Sequence, residues 1–518
     1  MPASTCWDNK MALLLRLRAA NSMTVAQVAK TLGGSLVHAP LGAEKRVITG
    51  VSHNSVWIRP GDAFVAIAGQ THDGHAFISG ALANGAIAIV GEDPAKADPL
   101  PAKLPVAYIR VADARLALAT LAARLADHPC RKLTLVGVTG TKGKTTTAWL
   151  IRHLLAYAGH RTGLLSTLGY KLGDDSLHQF PAHFTTPEAP QIQATLSQIV
   201  AEGGTHTVVE ASSEALAQYR LHGTTFDVAV WTNLAPEHLN FHGDMAHYFQ
   251  AKRLLFERSA FAVLNAADRW GMRLTDRPHI TYSAETGVAA DWTARVITED
   301  GAGLTFEVIG PAGAFEATLP MIGVYNVPNA LAAIAATAHL GVDDRALSDG
   351  LASFPGVPGR MQVLRAAPVR VVLDFAHTPD SLTNALASLR QTTARRLIVV
   401  LGSAGGPRDP GKRAPLGAVA TQLADHAVFT EEDCRNTPIR DILNEMKRGA
   451  DEAGQTNYTL IPDRWEAICL ALDQAESGDT VVFCGKAGET TLERADEIIP
   501  WDEETIVRQA MRQQAMRE

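Results

Sequence analysis

Short apolar runs alternate with longer segments of helical periodicity along most of the chain. The runs have the length of β-strands, and the segments between them place apolar residues on one face at the spacing of an α-helix. Alternation of this kind predicts an α/β fold of mostly parallel sheets with helices on both faces. The strand candidates are 47–51, 62–67, 86–90, 133–136, 207–210, 228–231, 262–264, 369–373, 397–401, 427–429 and 480–483.

Turn-rich segments divide the chain into three predicted domains. Its 518 residues exceed what one hydrophobic core holds. A proline- and glycine-rich stretch at 354–359 predicts one boundary, and a strongly helical segment at 115–127 leads toward another. We therefore expect an N-terminal extension at 1–22, a small α/β domain at 23–128, a central domain at 129–358 and a C-terminal Rossmann-like α/β domain at 359–518.

Composition and charge narrow the classes of function. Apolar residues make up 46% and charged residues 19% of the chain, and the formal net charge is −7. This balance is typical of a globular protein and argues against non-specific binding to nucleic acid. No apolar run reaches the ~20 residues of a membrane span. The five cysteines form no C-x-x-C pair, which favours a reducing compartment. We expect a cytoplasmic protein, with a weak targeting signal at 11–18 as the alternative.

The most informative segment is a glycine-rich turn between a predicted strand and a predicted helix. Residues 137–146 read G-V-T-G-T-K-G-K-T-T. Glycines let backbone N–H groups approach phosphates, and a helix N-terminus adds a favourable dipole. Lys144 can neutralise the β- and γ-phosphates of a nucleotide, and the Thr145 hydroxyl can hold Mg²⁺. Val138 replaces the glycine of the strict phosphate-loop spacing, and a chance glycine-rich turn is the alternative interpretation.

Potential metal ligands follow in the same predicted domain. Glu210 ends a strand one element after the phosphate loop, where its carboxylate can reach a Mg²⁺ ion held by Thr145. Zinc would suit the histidines further along, whereas Mg²⁺ beside phosphates prefers oxygen ligands. The alternatives are a capping carboxylate and ordinary surface histidines. The side chains of this second group are Glu237, His238, His242, Asp244 and His247.

Two polar turns follow strands of the third predicted domain. Residues 374–379 read D-F-A-H-T-P, and residues 402–409 read G-S-A-G-G-P-R-D with Lys412 and Arg413 nearby. Ligands bind at the carboxyl ends of strands in such folds. If the two strands are neighbours, the turns predict an anion-binding rim that includes His377 and Arg408. Ordinary turns are the alternative.

These motifs, in this order, resemble those of the Mur ligase family, and the resemblance extends from about residue 25 to 510. They are most similar to the branch that adds the third amino acid of the muramoyl peptide. The resemblance implies a ligase that uses ATP to phosphorylate a terminal carboxylate and then joins an amino acid to the acyl phosphate. The matching segments are 60–66, 73–75, 139–146, 185–188, 210–220, 232–243, 251–256, 323–329 and 359–361.

The resemblance also implies the cofactors, which are ATP, Mg²⁺ and a carbamylated lysine. The family lysine that matches Lys252 is carbamylated, which turns a cation into a carboxylate and needs an amine made neutral by burial. The expected catalytic residues are Lys144, Glu210, His238 and Lys252, and the expected metal ligands are Thr145, Glu210, His238 and Lys252. ATP is expected at Gly140, Thr141, Lys142, Gly143, Lys144, Thr145 and Thr146, with Asn326 and Asn329 near adenine and Arg360 and His377 near the phosphates.

The implied partners are a UDP-linked muramoyl-dipeptide and a free amino acid, bound by a monomer. Asp433 and Glu489 favour a second ammonium, as in lysine or ornithine, so we predict a basic diamino acid without choosing one. Arg435 matches the arginine of D-N-P-R in the members that add meso-diaminopimelate. The expected substrate residues are Ser55 for uracil, Thr185, Thr186, Ser212 and Arg220 for the nucleotide-peptide, and Arg408, Asp433, Arg435, Gly485 and Glu489 for the amino acid.

Several positions depart from the family motifs. Lys142 replaces an asparagine, Glu214 a histidine, Glu237 and Asn240 an aspartate each, and Val56 the arginine of the uracil site. Lys144, Thr145, Glu210, His238 and Lys252 are all retained, so we expect intact ATP and metal machinery, whereas motifs at both substrate ends are altered. Two alternatives therefore remain beside ligation in peptidoglycan precursor synthesis. One is a paralogue that acts on a different acceptor in specialised metabolism, and the other is a non-catalytic nucleotide-binding homologue.

Overall fold

A computed structural model describes Leu17 and residues 20–69, 72–97, 103–173, 176–180, 184–301, 303–406 and 410–516. Two compact units emerge: residues up to 293 with 328–347 form the first, and 294–327 with 348 onward form the second. Arg408 and most of the expected extension at 1–22 lie outside the described residues. The domain boundaries expected near 22, 128 and 358 remain predictions.

The N-terminal part of the first unit is built on a five-stranded sheet. The strands of this part are β1 Met23–Thr24, β2 Ser35–His38, β3 Val47–Ile48, β4 Gly50–Ser52, β5 Asp62–Ala66, β6 Ala88–Gly91 and β7 Ala107–Arg110, of which β1 and β3 form a separate two-stranded sheet. The helices are α1 Val25–Thr31, α2 Ile78–Ala83 and α3 Ala114–Leu125. Strands β4, β5, β6 and β7 are parallel neighbours, β2 pairs antiparallel with β7, and β1 pairs with β3. Helix α3 begins where Asp113 accepts a hydrogen bond from the Leu116 N–H at 2.9 Å.

A second sheet of the first unit carries the glycine-rich turn. Its strands are β8 Thr134–Thr139, β9 Thr162–Ser166, β10 Gly169–Lys171, β11 His206–Glu210, β12 Phe226–Trp231, β13 Ser259–Asn265 and β14 His279–Ser283, and β15 Trp292–Glu299 begins beside β14. The order is β10-β9-β11-β8-β12-β13-β14, and only β10 is antiparallel to its neighbour. The helices are α4 Lys144–Tyr157, α5 Ala189–Ala201, α6 Ser213–Ala217, α7 Leu239–His242 and α8 Met245–Phe256. Two more helices, α9 Asn326–His339 and α10 Asp344–Ala352, belong to the first unit through their residues 328–339 and 344–347.

The second unit holds a separate six-stranded sheet. The strands of this unit are β16 Leu304–Gly310, β17 Gly313–Leu319, β18 Gln362–Arg365, β19 Arg370–Asp374, β20 Leu397–Leu401, β21 His426–Phe429, β22 Tyr458–Leu460, β23 Thr480–Cys484, β24 Thr491–Glu493 and β25 Ile498–Pro500. Outside the six-stranded sheet, β16 pairs antiparallel with β17, and β24 with β25. The sheet order is β18-β19-β23-β20-β21-β22, with β18 antiparallel and the others parallel. The helices are α11 Pro379–Thr392, α12 Arg413–Leu423, α13 Ile439–Glu452, α14 Arg464–Asp473 and α15 Glu503–Ala515.

Single 3₁₀ turns connect many of these elements. They cover Ala43–Lys45, Ser55–Trp57, Gly74–Phe77, Pro94–Lys96, Pro129–Lys132, Gly271–Leu274 and Pro410–Lys412.

Both faces of the six-stranded sheet are buried, because consecutive strand residues enter different cores. Val371 and Val481 belong to one hydrophobic cluster, whereas Val372 and Val482 belong to another. A strand covered on both faces needs an uninterrupted apolar sequence, which is the pattern of the predicted strands. The α/β fold class with mostly parallel sheets is therefore confirmed. The antiparallel strands β10, β16, β17 and β18 were not among the predictions.

Candidate active site

The glycine-rich turn joins the carboxyl end of β8 to the first residue of α4, as its sequence predicts. Gly140 has φ 151°, and a Cβ there would lie 1.8 Å from the Thr232 hydroxyl oxygen. Gly143 has φ 82°, and a Cβ there would lie 2.3 Å from the Asn329 side-chain oxygen. Both positions therefore require glycine for backbone conformation and for space. Asn329, expected near adenine, lies directly against the loop.

Residues at and just after the end of β12 fix the shape of the loop through hydrogen bonds. The Thr232 hydroxyl donates to the Lys142 carbonyl at 2.7 Å, and the Lys142 N–H donates to the Asn233 side-chain oxygen at 2.9 Å. The Thr141 N–H donates to the Asn233 carbonyl at 2.8 Å. Lys144 Nζ lies over the turn and donates to the carbonyls of Gly140 and Thr141 at 3.0 and 2.7 Å. The loop shape is thus preformed, with the lysine ammonium at its rim. Thr146 is buried in the first turn of α4.

Glu210 lies fully buried beside the first turn of α4. Its carboxylate accepts hydrogen bonds from the Thr145 hydroxyl at 3.0 Å and from the N–H and hydroxyl of Thr167, both at 3.1 Å. Burial raises the pKa of Glu210, while the Lys144 charge and these hydrogen bonds oppose the rise. The Thr167 hydroxyl oxygen also lies 3.1 Å from the Thr185 hydroxyl oxygen, from which it can accept a hydrogen bond. Thr167 was missed by the sequence analysis, because it follows β9 outside any recognised motif.

A continuous hydrogen-bond chain leads from Glu210 to the expected substrate residues. The Thr186 hydroxyl donates to the Glu210 carbonyl at 2.6 Å and accepts from the Ser212 N–H at 3.0 Å. Arg220 donates to the Thr186 carbonyl at 2.9 Å and forms an ion pair with Glu188 at 3.0 Å. The structure therefore brings Thr186, Ser212 and Arg220 together beside the residue that faces the phosphate loop.

Lys252 is a buried amine on α8, next to the same loop. Its side chain is 1% exposed, and Nζ donates to the Gly140 carbonyl at 2.6 Å. Nζ also lies 4.7 Å from the centre of the Tyr248 ring. Burial and the Lys144 charge lower the pKa of Lys252 well below its usual value, and Glu237 opposes this. A lower pKa increases the fraction of the neutral amine, which is the form that reacts with CO₂.

His238 and His242 lie near one another at the ends of α7. His238 has φ 56° and places Nδ1 3.8 Å from the Glu214 carboxylate, while burial lowers its pKa. His242 Nε2 forms a hydrogen bond with the Ser213 hydroxyl at 2.9 Å, and its ring stacks on Tyr248. Within the described ranges, no three His, Cys, Asp or Glu side chains are grouped in a way that could hold a metal ion. Each of the two histidines instead has its own polar neighbour, Glu214 for His238 and Ser213 for His242.

Asp244 and His247, which the sequence groups with these histidines, form a helix cap instead. The Asp244 carboxylate accepts from the His247 N–H at 2.8 Å at the start of α8. The first N–H groups of a helix have no partner within the helix, and the Asp244 side chain supplies one for the N–H of His247. Helix capping therefore explains why these two residues occur here.

Ser55, expected at the uracil, lies in a 3₁₀ turn after β4. Its carbonyl accepts from the Asn84 side chain at 2.9 Å, and Asn54 caps the turn through the Val56 N–H at 3.0 Å. Val56, which replaces the family arginine, is 63% exposed and offers no polar group there. Nearby, His75 is buried between Asp73, at 2.6 Å, and the Tyr108 hydroxyl, at 3.2 Å.

Asn326, Arg360 and His377 belong to the second unit. Asn326 begins α9 and donates to the Ile322 carbonyl at 2.9 Å. The Arg360 guanidinium lies 4.3 Å from the centre of the Phe375 ring, and the His377 ring lies 4.6 Å from the same ring in an edge-on arrangement. Phe375 thus brings Arg360 and His377 together at the carboxyl end of β19.

The residues expected to bind the amino acid cluster around Lys486. Lys486 Nζ, which is buried, donates to Asp433 at 2.8 Å and contacts the Glu489 carboxylate. Arg435 donates to Glu493 at 2.8 Å and lies 3.7 Å from Asp433. The structure therefore brings Asp433, Arg435 and Glu489 together, and each already contacts an opposite charge. Gly485 precedes Lys486 with φ 97°. The cluster lies at the carboxyl ends of β21 and β23.

Three family models match the chain. Residues 47–125 match the Mur ligase family catalytic domain, 138–337 the Mur ligase middle domain, and 359–487 the Mur ligase glutamate ligase domain. A UDP-N-acetylmuramyl-tripeptide synthetase of Deinococcus radiodurans is 58% identical over 462 residues, which cover 88% of this chain and 93% of that protein. A UDP-N-acetylmuramoyl-L-alanyl-D-glutamate–2,6-diaminopimelate ligase of Streptomyces coelicolor is 40% identical over 501 residues, covering 94% and 96%.

A solved structure of a UDP-N-acetylmuramoyl-L-alanyl-D-glutamate–2,6-diaminopimelate ligase has the same architecture. Its TM-score with this chain is 0.65 at 30% identity, and the match covers 96% of this chain and 100% of that one. No helix in the described part of the chain has both the length and the apolar character needed to cross a membrane. The chain belongs to the Mur ligase family of ATP-dependent, ADP-forming amide ligases.

Proposed function

We propose that this ligase joins a basic diamino acid to UDP-N-acetylmuramoyl-L-alanyl-D-glutamate, as a step of peptidoglycan precursor synthesis. The observation that carries the proposal is the hydrogen-bond chain from Thr145 through Glu210 and Thr186 to Ser212 and Arg220. This chain of contacts connects the phosphate loop to a group of polar and cationic side chains, Thr186, Ser212 and Arg220, which we call the cradle. The 58% identical relative, a UDP-N-acetylmuramyl-tripeptide synthetase, supports the choice of acceptor.

In this proposal the loop binds ATP and the cradle binds the acceptor peptide. Arg220 and Ser212 hold the acceptor so that its terminal carboxylate oxygen faces the γ-phosphorus. That oxygen forms a bond to the phosphorus while the bond to the β-phosphate oxygen breaks, which leaves ADP. The amine of the incoming amino acid then attacks the acyl phosphate, losing a proton, and phosphate leaves as the amide forms. Lys144 stabilises the negative charge that moves between phosphate oxygens.

The residues present fit a magnesium ion. Thr145 supplies a hydroxyl and Glu210 a buried carboxylate that faces it at 3.0 Å, and such oxygen ligands are those Mg²⁺ prefers. When bound there, Mg²⁺ would supply positive charge between the β- and γ-phosphates. His238 would hold a second ion together with carbamylated Lys252. The lowered pKa of Lys252 fits this modification, in which neutral Nζ bonds to the carbon of CO₂ and releases a proton.

We further propose a monomer in the cytoplasm, where ATP, the amino acid and a UDP-linked acceptor are available together. Adenine would lie near Asn326 and Asn329, and Arg360 and His377 would lie near the ATP phosphates. Val56 and Glu214 differ from the family motifs. The alternative, a paralogue that acts on a different acceptor, is therefore one of the outcomes that the test below distinguishes.

The test measures phosphate release from ATP and Mg²⁺ with this acceptor, in the presence of lysine, ornithine, meso-diaminopimelate or no amino acid. Product masses identify the amide, and Lys144→Ala is the inactive control. We expect release that depends on a diamino acid, with the matching mass gain. ATP binding without turnover on any of them would indicate a paralogue with another acceptor, and absence of ATP binding would indicate a non-catalytic homologue.

A further inference from the structure

Thr167 forms hydrogen bonds with both oxygens of the Glu210 carboxylate. Its N–H donates to Oε1 at 3.1 Å, and its hydroxyl donates to Oε2, also at 3.1 Å. Thr145 bonds to Oε2 at 3.0 Å. The last torsion of a glutamate side chain has a broad preference, so the carboxylate plane is not set by the side chain itself. Two bonds from one residue, one to each oxygen, therefore fix the plane of the Glu210 carboxylate.

The main chain holds Thr167 in place beside Glu210. Residues 167 and 168 form a two-residue turn between the antiparallel strands β9 and β10, whose end residues Ser166 and Gly169 are paired. The Ser166 hydroxyl donates to the Gly169 carbonyl at 3.2 Å and accepts from the Leu168 N–H at 3.3 Å. Strands β9 and β11 are parallel neighbours, so this turn lies at the same edge of the sheet as Glu210, the last residue of β11.

The Thr167 hydroxyl also connects Glu210 to the acceptor side of the site. A hydroxyl has one hydrogen and an ionised carboxylate can only accept, so the Thr167 hydrogen belongs to the bond with Glu210. The Thr185 hydroxyl, 3.1 Å away, is therefore placed to donate to Thr167. The result is an ordered chain of hydrogen bonds from Thr185 through Thr167 to Glu210, and the bonds of such a chain polarise one another.

Glu210 and Thr185 have different tasks in the proposed function. Glu210 is a proposed ligand of Mg²⁺, and Thr185 is expected to bind the nucleotide-peptide acceptor. Thr186 bonds to the Glu210 carbonyl at 2.6 Å, but this contact involves the main chain and does not orient the carboxylate. The carboxylate itself is connected to Thr185 through the Thr167 hydroxyl.

We propose that Thr167 is a positioning residue, whose hydroxyl holds the Glu210 carboxylate in the orientation that receives Mg²⁺ and fixes Thr185 for the acceptor. This inference rests on the proposed function. Thr167 acts through its two neighbours and not by contact with ATP or the acceptor. Residues that orient a metal ligand have a large effect, since their loss lowers metal affinity or activity by roughly 10- to 100-fold.

The test uses variants of the full-length chain that separate the hydroxyl from the rest of the side chain. Thr167→Val keeps the shape and the N–H bond to Glu210 but removes the hydroxyl, whereas Thr167→Ser retains the hydroxyl. Thr162→Val is the matched control, because Thr162 begins the same strand β9, is fully buried and donates its hydroxyl to the His160 carbonyl at 3.0 Å. Thermal unfolding verifies folding, and Thr167→Ala replaces a Thr167→Val variant that does not fold.

Two measurements are made on the wild type and on each variant. Binding of a fluorescent, non-hydrolysable ATP analogue at increasing Mg²⁺ gives the half-saturating Mg²⁺ concentration without turnover. Steady-state phosphate release at saturating ATP, Mg²⁺ and amino acid gives kcat and the KM for UDP-N-acetylmuramoyl-L-alanyl-D-glutamate.

For Thr167→Val we expect the half-saturating Mg²⁺ concentration to rise about 10-fold, as for other partners of metal ligands. The acceptor KM should rise about fivefold, which corresponds to the loss of one hydrogen bond. Thr167→Ser should stay within about threefold of the wild type in both constants, because it keeps both hydrogen bonds of the hydroxyl. Thr162→Val should match the wild type in both constants even if its Tm falls.

A lower Tm of Thr167→Val with both constants unchanged would indicate a purely structural bond and overturn the inference. Equal losses in Thr167→Ser and Thr167→Val would also overturn it, and a rise in one constant alone would overturn the role toward the other neighbour. A wild type that binds the analogue independently of Mg²⁺ would overturn the proposed metal site and this inference together. If the wild type binds it with Mg²⁺ but does not use this acceptor, the proposed function is wrong and the Mg²⁺ constant decides the inference.

Discussion

Removal of the Lys252 side chain is the sharpest test of the catalytic centre. The amine is 1% exposed, donates to the Gly140 carbonyl at 2.6 Å and has a pKa well below its usual value. If carbamylation converts it into a metal-binding carboxylate, a variant without the amine lacks a negative charge beside the transferring phosphoryl group. Lys252→Ala and Lys252→Met both remove the amine, but only alanine leaves a cavity.

The structure sets the size of each effect. Lys252→Ala removes a long buried side chain packed on Tyr248 and should lower the free energy of unfolding by about 2–4 kcal/mol. Lys252→Met fills the same space and loses mainly the hydrogen bond to Gly140, so its cost should be about 1 kcal/mol. For catalysis, loss of one preorganised electrostatic group next to the reacting atoms costs about 3–4 kcal/mol, so both variants should lose roughly 1000-fold in kcat.

The assay is steady-state phosphate release with and without added formate or acetate, paired with thermal unfolding. A short carboxylate can enter the cavity of Lys252→Ala and replace the carbamate, whereas the methionine side chain excludes it. We therefore expect partial recovery of kcat in Lys252→Ala only, and a wild-type rate that falls when dissolved CO₂ is stripped. Full activity in Lys252→Met would refute the assignment of Lys252, and equal rescue of both variants would refute the role of the cavity.

Three further predictions address other parts of the molecule. Glu210→Gln keeps the shape of the buried side chain but removes its charge, so we expect about 100-fold lower kcat and a higher Mg²⁺ requirement in a metal titration; an unchanged Mg²⁺ dependence would contradict its role as a ligand. Arg464→Met leaves Glu503 as an unpaired buried charge, so denaturant unfolding should show a loss of about 3–5 kcal/mol, more than in the double variant with Glu503→Gln. Burial raises the pKa of Glu432, which follows β21, from 4.5 to about 7 on folding, so the native state holds a proton that the unfolded state releases. The contribution of Glu432 to the free energy of unfolding is therefore fully present below pH about 4.5. It decreases by up to about 3 kcal/mol as the pH rises through about 7. Glu432→Gln has no such loss, so its Tm should rise relative to that of the wild type between pH about 5 and 8, and parallel Tm curves would contradict this.

The phosphate loop shows how far local sequence information reaches. Its shape depends on residues adjacent in the chain, on two glycines with positive φ and on a strand and a helix that meet at Lys144. The pattern of residues 137–146 was sufficient to predict these local features, whereas the contacts of the loop with Thr232, Asn233 and Asn329 depend on distant segments. The same holds for the buried parallel strands, whose uninterrupted apolar runs satisfy a core on each face.

Contacts between segments that are distant in the chain could not be predicted from local sequence patterns. Thr167 reaches Glu210 across 43 positions of the chain, and no motif marks it. The antiparallel strand β16 alternates in burial, and β17 and β18 are largely exposed or half-buried, so all three lack the long apolar runs that identify the parallel strands. Asp433 and Glu489 could be recognised as acids near an amino-acid site, but their contact with Lys486 depends on which loops the sheet brings together.

By itself, the sequence determined the α/β class, the family, the phosphate loop and the identity of the acids and bases around it, because these depend on residue type and on spacing along the chain. Only the tertiary structure decided which charges neutralise each other. Lys486 bonds to Asp433 and Glu489, and Arg464 bonds to Glu503, while Glu432 is buried and its Oε2 has no hydrogen-bond partner in the described part of the chain. The physical reason is that the free energy of a charge depends on its burial and on its nearest opposite charge, and both are set by the packing of segments far apart in the chain.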